Sequence, residues 1–147
     1  MPIYLEEFRV GERFRTAEYE MTEEKVIAFA REYDPQPFHV DHVAGKASVL
    51  GSLAASGWHT AAITMRLLVT SGLPFANGMV GLGGEIAWPR PTYPGDILHV
   101  ECEILDVRPS RTKPRQGVVT IKNTTINQRG EQVQVFTAKI LAFRRSE

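Results

Sequence analysis

Residues 56–71 form the stretch that most restricts what this chain can fold into. Arg66 is its only formally charged side chain, so the helix that it predicts is apolar over most of its circumference. Ser56 is a favourable N-cap, and Gly72 followed by Pro74 ends the helix. A helix of this composition is normally buried, so we expect the rest of the chain to be built around it.

The second half of the chain supplies a sheet that could cover this helix. Residues 97–107 alternate between apolar and polar side chains, and residues 118–127 and 132–143 are rich in β-branched residues. Short turns join these segments, which predicts an antiparallel meander of three long strands. A weak strand pattern precedes them at 14–19. The glycine-rich run 78–84 lacks the spacing of a dinucleotide-binding loop, and no helix pattern follows it.

These elements predict an α+β fold that occupies residues 1–147 as one domain, with a long antiparallel sheet wrapped around a central buried helix. The chain has no internal repeat and no linker long enough to divide it. A single sheet of this kind leaves one edge and part of one face uncovered. We therefore expect a homodimer or a dimer of dimers.

A second constraint is the segment Asp34–Asp41, which reads Asp-Pro-Gln-Pro-Phe-His-Val-Asp. Thr22 caps a predicted helix over 23–33, and Pro35 disfavours helical geometry at the residue before it. The two prolines predict a rigid, extended, non-helical loop that holds the Asp34 carboxylate and the His39 imidazole for chemistry. The alternative is an ordinary connection in which Asp34 ends one helix and Asp41 caps the next.

Composition excludes several classes of function. The 17 basic and 17 acidic side chains give no net charge, which argues against general attraction to nucleic acid or to an anionic membrane. No apolar run approaches membrane-spanning length, and the N-terminus carries no signal-like segment, so we expect a cytoplasmic protein. The four histidines have no metal-ligand spacing, and no metal site is expected.

Several other side chains have simple structural interpretations. Cys102, the single cysteine, should be a small buried apolar residue. His59 is predicted to be a core histidine with its hydrogen bonds satisfied, and His99 a solvated residue on the polar face of its strand. Trp58 and Met65 are expected to pack in the core, although either could line a cavity.

The order of elements resembles the hot-dog fold, and the segment Asp34–Asp41 resembles the signature of the MaoC-like dehydratases. That family includes the (R)-specific enoyl-CoA hydratases, with the pattern Asp-x-Asn-Pro-x-His-x-Asp. The turn Pro94–Asp96 before the long strand is also similar to the family's turn at that place. The resemblance covers essentially the whole chain, from the first strand to Phe143.

The resemblance implies reversible hydration of a 2-enoyl-CoA to an (R)-3-hydroxyacyl-CoA. His39 is the candidate base, because a neutral imidazole accepts protons near neutral pH. Asp34 would hold and polarise the same water and could exchange the proton with the α-carbon of the substrate. Gly57 would offer its N–H to the thioester oxygen at a helix N-terminus. Coenzyme A enters only as part of the substrate, and no separate cofactor is implied.

Two residues depart from the family pattern. Gln36 stands where the family usually has Asn, and Ser56 precedes Gly57 where many hydratases have His. Both are candidate substrate-binding residues, and both leave the substrate's identity open. The resemblance further implies that basic side chains meet the phosphates of coenzyme A, and the candidates here are Arg90, Lys113 and Arg115. Solvated loop charges are an equally good interpretation of these three.

Two other functions remain compatible with the sequence. A hot-dog thioesterase would use a carboxylate to activate water against the thioester itself. A non-catalytic acyl-CoA-binding or partner subunit would keep the fold without activity, and the departures at Gln36 and Ser56 are its only support. The pairing of Asp34 with His39 favours hydration over hydrolysis.

Overall fold

A computed structural model describes residues 1–146 of the protein. Helix α4 (Gly57–Leu67) continues into a wider turn over Leu68–Gly72, in which the Leu73 N–H donates to the Leu68 carbonyl at 3.0 Å. Among the described residues no helix is long and apolar enough to cross a membrane. The helices are α1 (Glu23–Tyr33), α2 (Pro37–Val40), α3 (His42–Ala47) and α4 (Gly57–Leu67).

The strands are β1 (Arg13–Arg15), β2 (Tyr19–Glu20), β3 (Val80–Ala87), β4 (Ile97–Pro109), β5 (Gln116–Ile126) and β6 (Gln132–Phe143). Within residues 1–146 they form one six-stranded antiparallel sheet in the order β1-β4-β5-β6-β3, with β2 also paired to β4. The three longest strands are consecutive in the sequence and adjacent in the sheet. The predicted meander is therefore confirmed.

The inner face of the sheet forms the core against α4. On β4 the predicted alternation is confirmed, since Leu98, Val100, Cys102 and Ile104 are all buried. Burial, followed by the nearby charge of Glu101, raises the pKa of the Cys102 thiol to about 12. This cysteine is thus a packing residue, as predicted, and not a nucleophile at neutral pH.

Helix α4 is central, but the chain covers only one of its faces. Ile63 and Leu67 pack into the core beneath it. Trp58 and Met65 lie on the opposite face and are 60% and 41% exposed. The prediction that these two side chains pack in the core is wrong, because residues 1–146 leave that face of the helix open apart from the edge contact of Trp58 with Trp88.

The segment after α1 also departs from expectation. Pro37–Val40 forms one turn of helix, so the prediction of a wholly non-helical loop is wrong for its second half. Proline is compatible with the first position of a helix, where its missing N–H would have no partner in the helix. The predicted cap is confirmed, since the Asp41 carboxylate accepts from the Ala44 N–H at 2.9 Å.

Strand β3 was not predicted from the sequence. Its glycines lower strand propensity, and the register shifts between Gly81 and Gly83. Gly84 has a positive reason to be glycine, because a Cβ there would lie 2.3 Å from the Thr137 carbonyl oxygen on β6. The prediction that His99 is solvated is also wrong. Its side chain is only 9% exposed, and its Nε2 lies 3.2 Å from Glu101 Oε2.

Candidate active site

The Asp34 carboxylate is held at the end of α1 by two neutral donors. Asp34 is the C-cap residue of that helix, and its backbone N–H donates to Ala30 O. The Gln36 amide donates to Asp34 Oδ1 at 2.6 Å, and the Ser56 hydroxyl donates to Oδ2 at 2.7 Å. Each carboxylate oxygen therefore has one fixed partner.

These donors decide the ionisation of Asp34. Burial alone would raise its pKa, but the hydrogen bonds from Ser56 and Gln36 and the proximity of His39 together hold the pKa below its usual value. Asp34 is therefore an anion at neutral pH. A carboxylate of this kind is a good hydrogen-bond acceptor and a weak base.

The imidazole of His39 lies on α2 and is only 6% exposed. Its Nδ1 lies 2.7 Å from the carbonyl oxygen of Ala54, and a carbonyl oxygen can only accept a hydrogen bond. Nδ1 therefore carries the proton, and in the neutral ring Nε2 presents a lone pair. Nε2 lies 3.3 Å from Asp34 Oδ2.

This pairing creates a place for a donor molecule. A neutral Nε2 and an ionised Oδ2 are both acceptors, so they cannot satisfy each other. A water molecule carries two protons and can donate one to each of them. Its oxygen would then be more nucleophilic, because Nε2 can remove a proton as the oxygen attacks.

Gly57 begins α4 directly after Ser56. The Ser56 hydroxyl accepts from the Trp58 N–H at 3.2 Å, so the predicted N-cap is confirmed. Within residues 1–146 no acceptor takes the Gly57 N–H. A Cβ on Gly57 would lie 2.7 Å from Cε2 of Trp88, so glycine here also permits the Trp88 ring to pack against the helix.

Two cavities meet at these residues. The first has a volume of about 360 Å³ and includes Arg90 and Thr92 in its lining, and we call it the Arg90 cavity. The second has a volume of about 300 Å³ and includes Asp34 and Gln36, and we call it the Asp34 cavity. The two cavities share four lining residues, which are His39, Leu50, Gly57 and Trp88.

The remaining predicted site residues lie in different places. Ser56 is fully buried, and its hydroxyl is engaged by Asp34 and the Trp58 N–H instead of facing a cavity. Arg90 lines its cavity and forms an ion pair with Glu131 at 3.2 Å. Lys113 and Arg115 are exposed on the loop between β4 and β5, and neither lines either cavity.

His59 is buried as predicted, but its hydrogen bonds are not all satisfied. Its ring stacks on Phe29 with centroids 4.5 Å apart, and Nδ1 has no partner within residues 1–146. Burial, followed by the charge of Lys25, lowers its pKa to about 4. His59 is therefore neutral at physiological pH and lines neither of the two cavities.

The structure contributes two groups that the sequence analysis did not single out. The Ala54 carbonyl orients His39, and a backbone oxygen leaves no mark in a sequence. The Trp88 ring packs against Gly57. The only sequence feature that could have pointed to it is a large aromatic residue directly before Pro89. Within residues 1–146, no group of three or more His, Cys, Asp or Glu side chains is placed to hold a metal ion.

Comparisons with known proteins agree with this architecture. A family model described as "MaoC like domain" matches residues 7–127. The uncharacterized protein YdeM of Bacillus subtilis (strain 168) is 31% identical over 137 residues, which cover 92% of this chain and 94% of that protein.

Two solved structures extend the comparison. The MaoC-like dehydratase from Rhodospirillum rubrum is 54% identical, with a TM-score of 0.97 and 99% of each chain covered. The R-hydratase PhaJ1 from Pseudomonas aeruginosa is 27% identical, with a TM-score of 0.80, covering 98% of this chain and 88% of that one. The sheet, the central helix and the family match together show that this chain is a hot-dog domain of the MaoC-like dehydratase family.

Proposed function

We propose that the protein is a hydro-lyase that reversibly adds water to a 2-enoyl-CoA, forming an (R)-3-hydroxyacyl-CoA. The observation that carries this proposal is the placement of His39 Nε2 3.3 Å from Asp34 Oδ2, in a cavity that is also lined by Gly57, whose N–H has no acceptor within residues 1–146. The similarity to the R-hydratase PhaJ1 and to the Rhodospirillum rubrum dehydratase supports the same class of reaction.

In the proposed first step, one water donates to His39 Nε2 and to Asp34 Oδ2. His39 Nε2 takes a proton from this water as the water oxygen bonds to C3 of the enoyl group. Because the pKa of Asp34 is held below its usual value, Asp34 stays ionised and stabilises the imidazolium that forms. His39 is thus the base, and Asp34 orients the water.

The second step returns the proton to the substrate. Attack at C3 moves an electron pair toward the thioester oxygen, where the Gly57 N–H and the N-terminus of α4 stabilise the negative charge. The imidazolium then delivers its proton to C2, which completes the addition of water and restores the neutral ring. The reverse sequence dehydrates a 3-hydroxyacyl-CoA.

The three candidate basic residues are not equally well placed to contact the coenzyme A end of the substrate. The Arg90 side chain is 61% exposed and lies at one of the two cavities, which suits a contact to a phosphate. We keep Lys113 and Arg115 as proposed contacts from a loop outside these cavities. Gln36 and Ser56 would act on the substrate indirectly, through the Asp34 carboxylate that they hold.

The proposed reaction is tested by mixing the purified protein with crotonyl-CoA and following double-bond absorbance and free thiol together. Loss of the double bond without thiol is expected. His39→Ala and Asp34→Asn should each lower kcat by a factor of about 10² to 10⁴, the usual contribution of a positioned acid or base. His42→Ala is the matched control, because that histidine is exposed and pairs with Glu23 on α1.

The other outcomes are equally specific. Thiol release would identify a thioesterase, and no reaction across several acyl lengths would favour an acyl-CoA-binding subunit. Full activity of both His39→Ala and Asp34→Asn would show that the pair does not carry the chemistry.

A second prediction concerns the hydrogen bonds that hold the Asp34 carboxylate. Ser56→Ala removes one donor from the carboxylate, so the pKa of Asp34 should rise. The variant also loses a helix cap, at a cost of about 1 kcal/mol in the free energy of unfolding. Both effects can be measured, by a carboxyl-carbon NMR titration of Asp34 and by denaturant unfolding.

Thr22→Ala provides the control for the lost cap. Thr22 caps α1 by accepting from the Lys25 N–H and does not contact Asp34. It should lower stability by a similar amount without changing the pKa of Asp34. An unchanged Asp34 pKa in Ser56→Ala would mean that Ser56 does not tune the carboxylate.

We also propose that two copies of the chain form a homodimer. Strand β3 is an edge of the sheet, and Val80 and Leu82 on it are 45% and 55% exposed. The uncovered face of α4 adds Trp58 and Val69, which are 60% and 61% exposed. An open edge and an apolar face of this kind are normally covered by another chain.

Sedimentation should give about twice the chain mass of 16.4 kDa. Leu82→Glu is expected to shift the protein toward monomer, because it places a charge on the open edge strand. Leu105→Glu, at a 40% exposed leucine on β4, is the control and should leave the mass unchanged. A monomeric wild-type protein at micromolar concentration would contradict the proposed dimer.

A further inference from the structure

The two cavities define the direction in which a thioester would lie. Asp34 lines only one cavity and Arg90 only the other, whereas His39 and Gly57 line both. If the proposed function is correct, the reacting carbons must meet Asp34 and His39, and these carbons belong to the acyl group. The acyl group therefore extends into the Asp34 cavity, and the coenzyme A end lies in the Arg90 cavity.

Trp88 stands at the boundary between the cavities. Its ring lines both of them and packs directly on Gly57, where a Cβ would lie within 3.0 Å of three ring atoms. For a substrate in this orientation, the thioester carbonyl and the adjacent C2 would cross this boundary. The indole of Trp88 would then lie beside C2.

The indole is held in place by a buried polar network. Trp88 Nε1 donates to Gln134 Oε1 at 3.0 Å, and the Gln134 amide donates to Thr64 Oγ1 at 3.1 Å. Thr64 Oγ1 lies 2.6 Å from Thr125 Oγ1 on β5. Gln134, Thr64 and Thr125 are at most 1% exposed. A polar group buried this deeply keeps its partners, because leaving it unpaired is costly.

The surroundings of Trp88 limit its freedom further. The Trp58 ring meets it edge-on, with centroids 5.2 Å apart. An indole that is fixed by a hydrogen bond on one side and by an aromatic contact on another cannot easily turn aside for a larger ligand. The indole, although Trp88 is 40% exposed, is therefore tethered at the boundary between the two cavities.

From these contacts we propose that Trp88 is a specificity-determining residue that restricts the substrate to thioesters unbranched at C2. A planar enoyl group with hydrogen at C2 passes beneath the indole. A methyl group at C2 would meet the ring. This inference rests on the proposed function, and it adds the class of acyl group that the site accepts.

The test compares crotonyl-CoA with its C2-methyl homologue, 2-methylcrotonyl-CoA. The quantity measured is the ratio of the two kcat/KM values, first for the wild-type protein and then for Trp88→Ala. The difference in intrinsic reactivity between the two substrates cancels when the ratio for the variant is compared with the ratio for the wild-type protein. We expect the preference for crotonyl-CoA to fall by about tenfold or more, since one methyl group in a tight site changes selectivity by about 10–200-fold.

Two further variants make the comparison decisive. Trp88→Phe keeps an aromatic ring but loses the hydrogen bond to Gln134, so it should lower the preference to a smaller extent, and it serves if Trp88→Ala does not fold. Val49→Ala removes side-chain volume from the Asp34 cavity only, because Val49 does not line the Arg90 cavity. It should leave the ratio of the two kcat/KM values unchanged.

A binding measurement gives an independent readout. Trp58→Phe leaves Trp88 as the only tryptophan, because the chain has two. Adding butyryl-CoA, a saturated and unreactive analogue, should change the emission of that tryptophan.

The outcomes separate this inference from the proposed function. Failure of the wild-type protein to hydrate crotonyl-CoA would contradict the function. Hydration of crotonyl-CoA with the same preference in the wild-type protein, Trp88→Ala and Trp88→Phe would overturn the role of Trp88. If butyryl-CoA does not change the emission of Trp88 in Trp58→Phe, the role of Trp88 would be overturned as well.

Discussion

The site depends on one hydrogen bond, from His39 Nδ1 to the backbone carbonyl of Ala54. It fixes the protonated nitrogen, so that the neutral ring directs the lone pair of Nε2 toward Asp34. Without it the imidazole could rotate or change tautomer, and Nε2 would lose its ability to accept a proton from water. The bond in turn requires that residues 54–55 lie in a fixed position, and the Ala55 N–H is held by the Thr92 carbonyl at 2.8 Å.

The site also joins the ends of two helices. The C-terminus of α1 supplies Asp34, and the N-terminus of α4 begins at Gly57. Ser56 links them, because the same hydroxyl donates to the carboxylate and accepts from the helix backbone. A negative charge close to a helix N-terminus is favourable, so this arrangement stabilises both the helix and the ionised form of Asp34. The buried hydrogen bonds that join Thr64, Thr125 and Gln134 beneath α4 likewise hold Trp88 in place.

Much of this architecture could be predicted from the sequence. The long strands, the central helix and its cap follow from periodicity and capping chemistry, and the proline-containing segment identified Asp34 and His39. Local pattern could not reveal the Ala54 carbonyl, because every residue carries one. Ser56 was expected to face the substrate. Its contact with Asp34 could not be foreseen, because the two residues lie 22 positions apart in the sequence. Trp58 and Met65 were misjudged because an apolar residue looks the same whether its own chain or another covers it.

The tautomer of His39 tests the central claim most directly. Nitrogen NMR of the labelled protein, at a pH where the ring is neutral, distinguishes a protonated from an unprotonated ring nitrogen, and the spectrum of His39→Gln assigns the signals. The account predicts a proton on Nδ1 and none on Nε2. A neutral His39 with its proton on Nε2 would contradict it, because that ring could not take a proton from a water held beside Asp34.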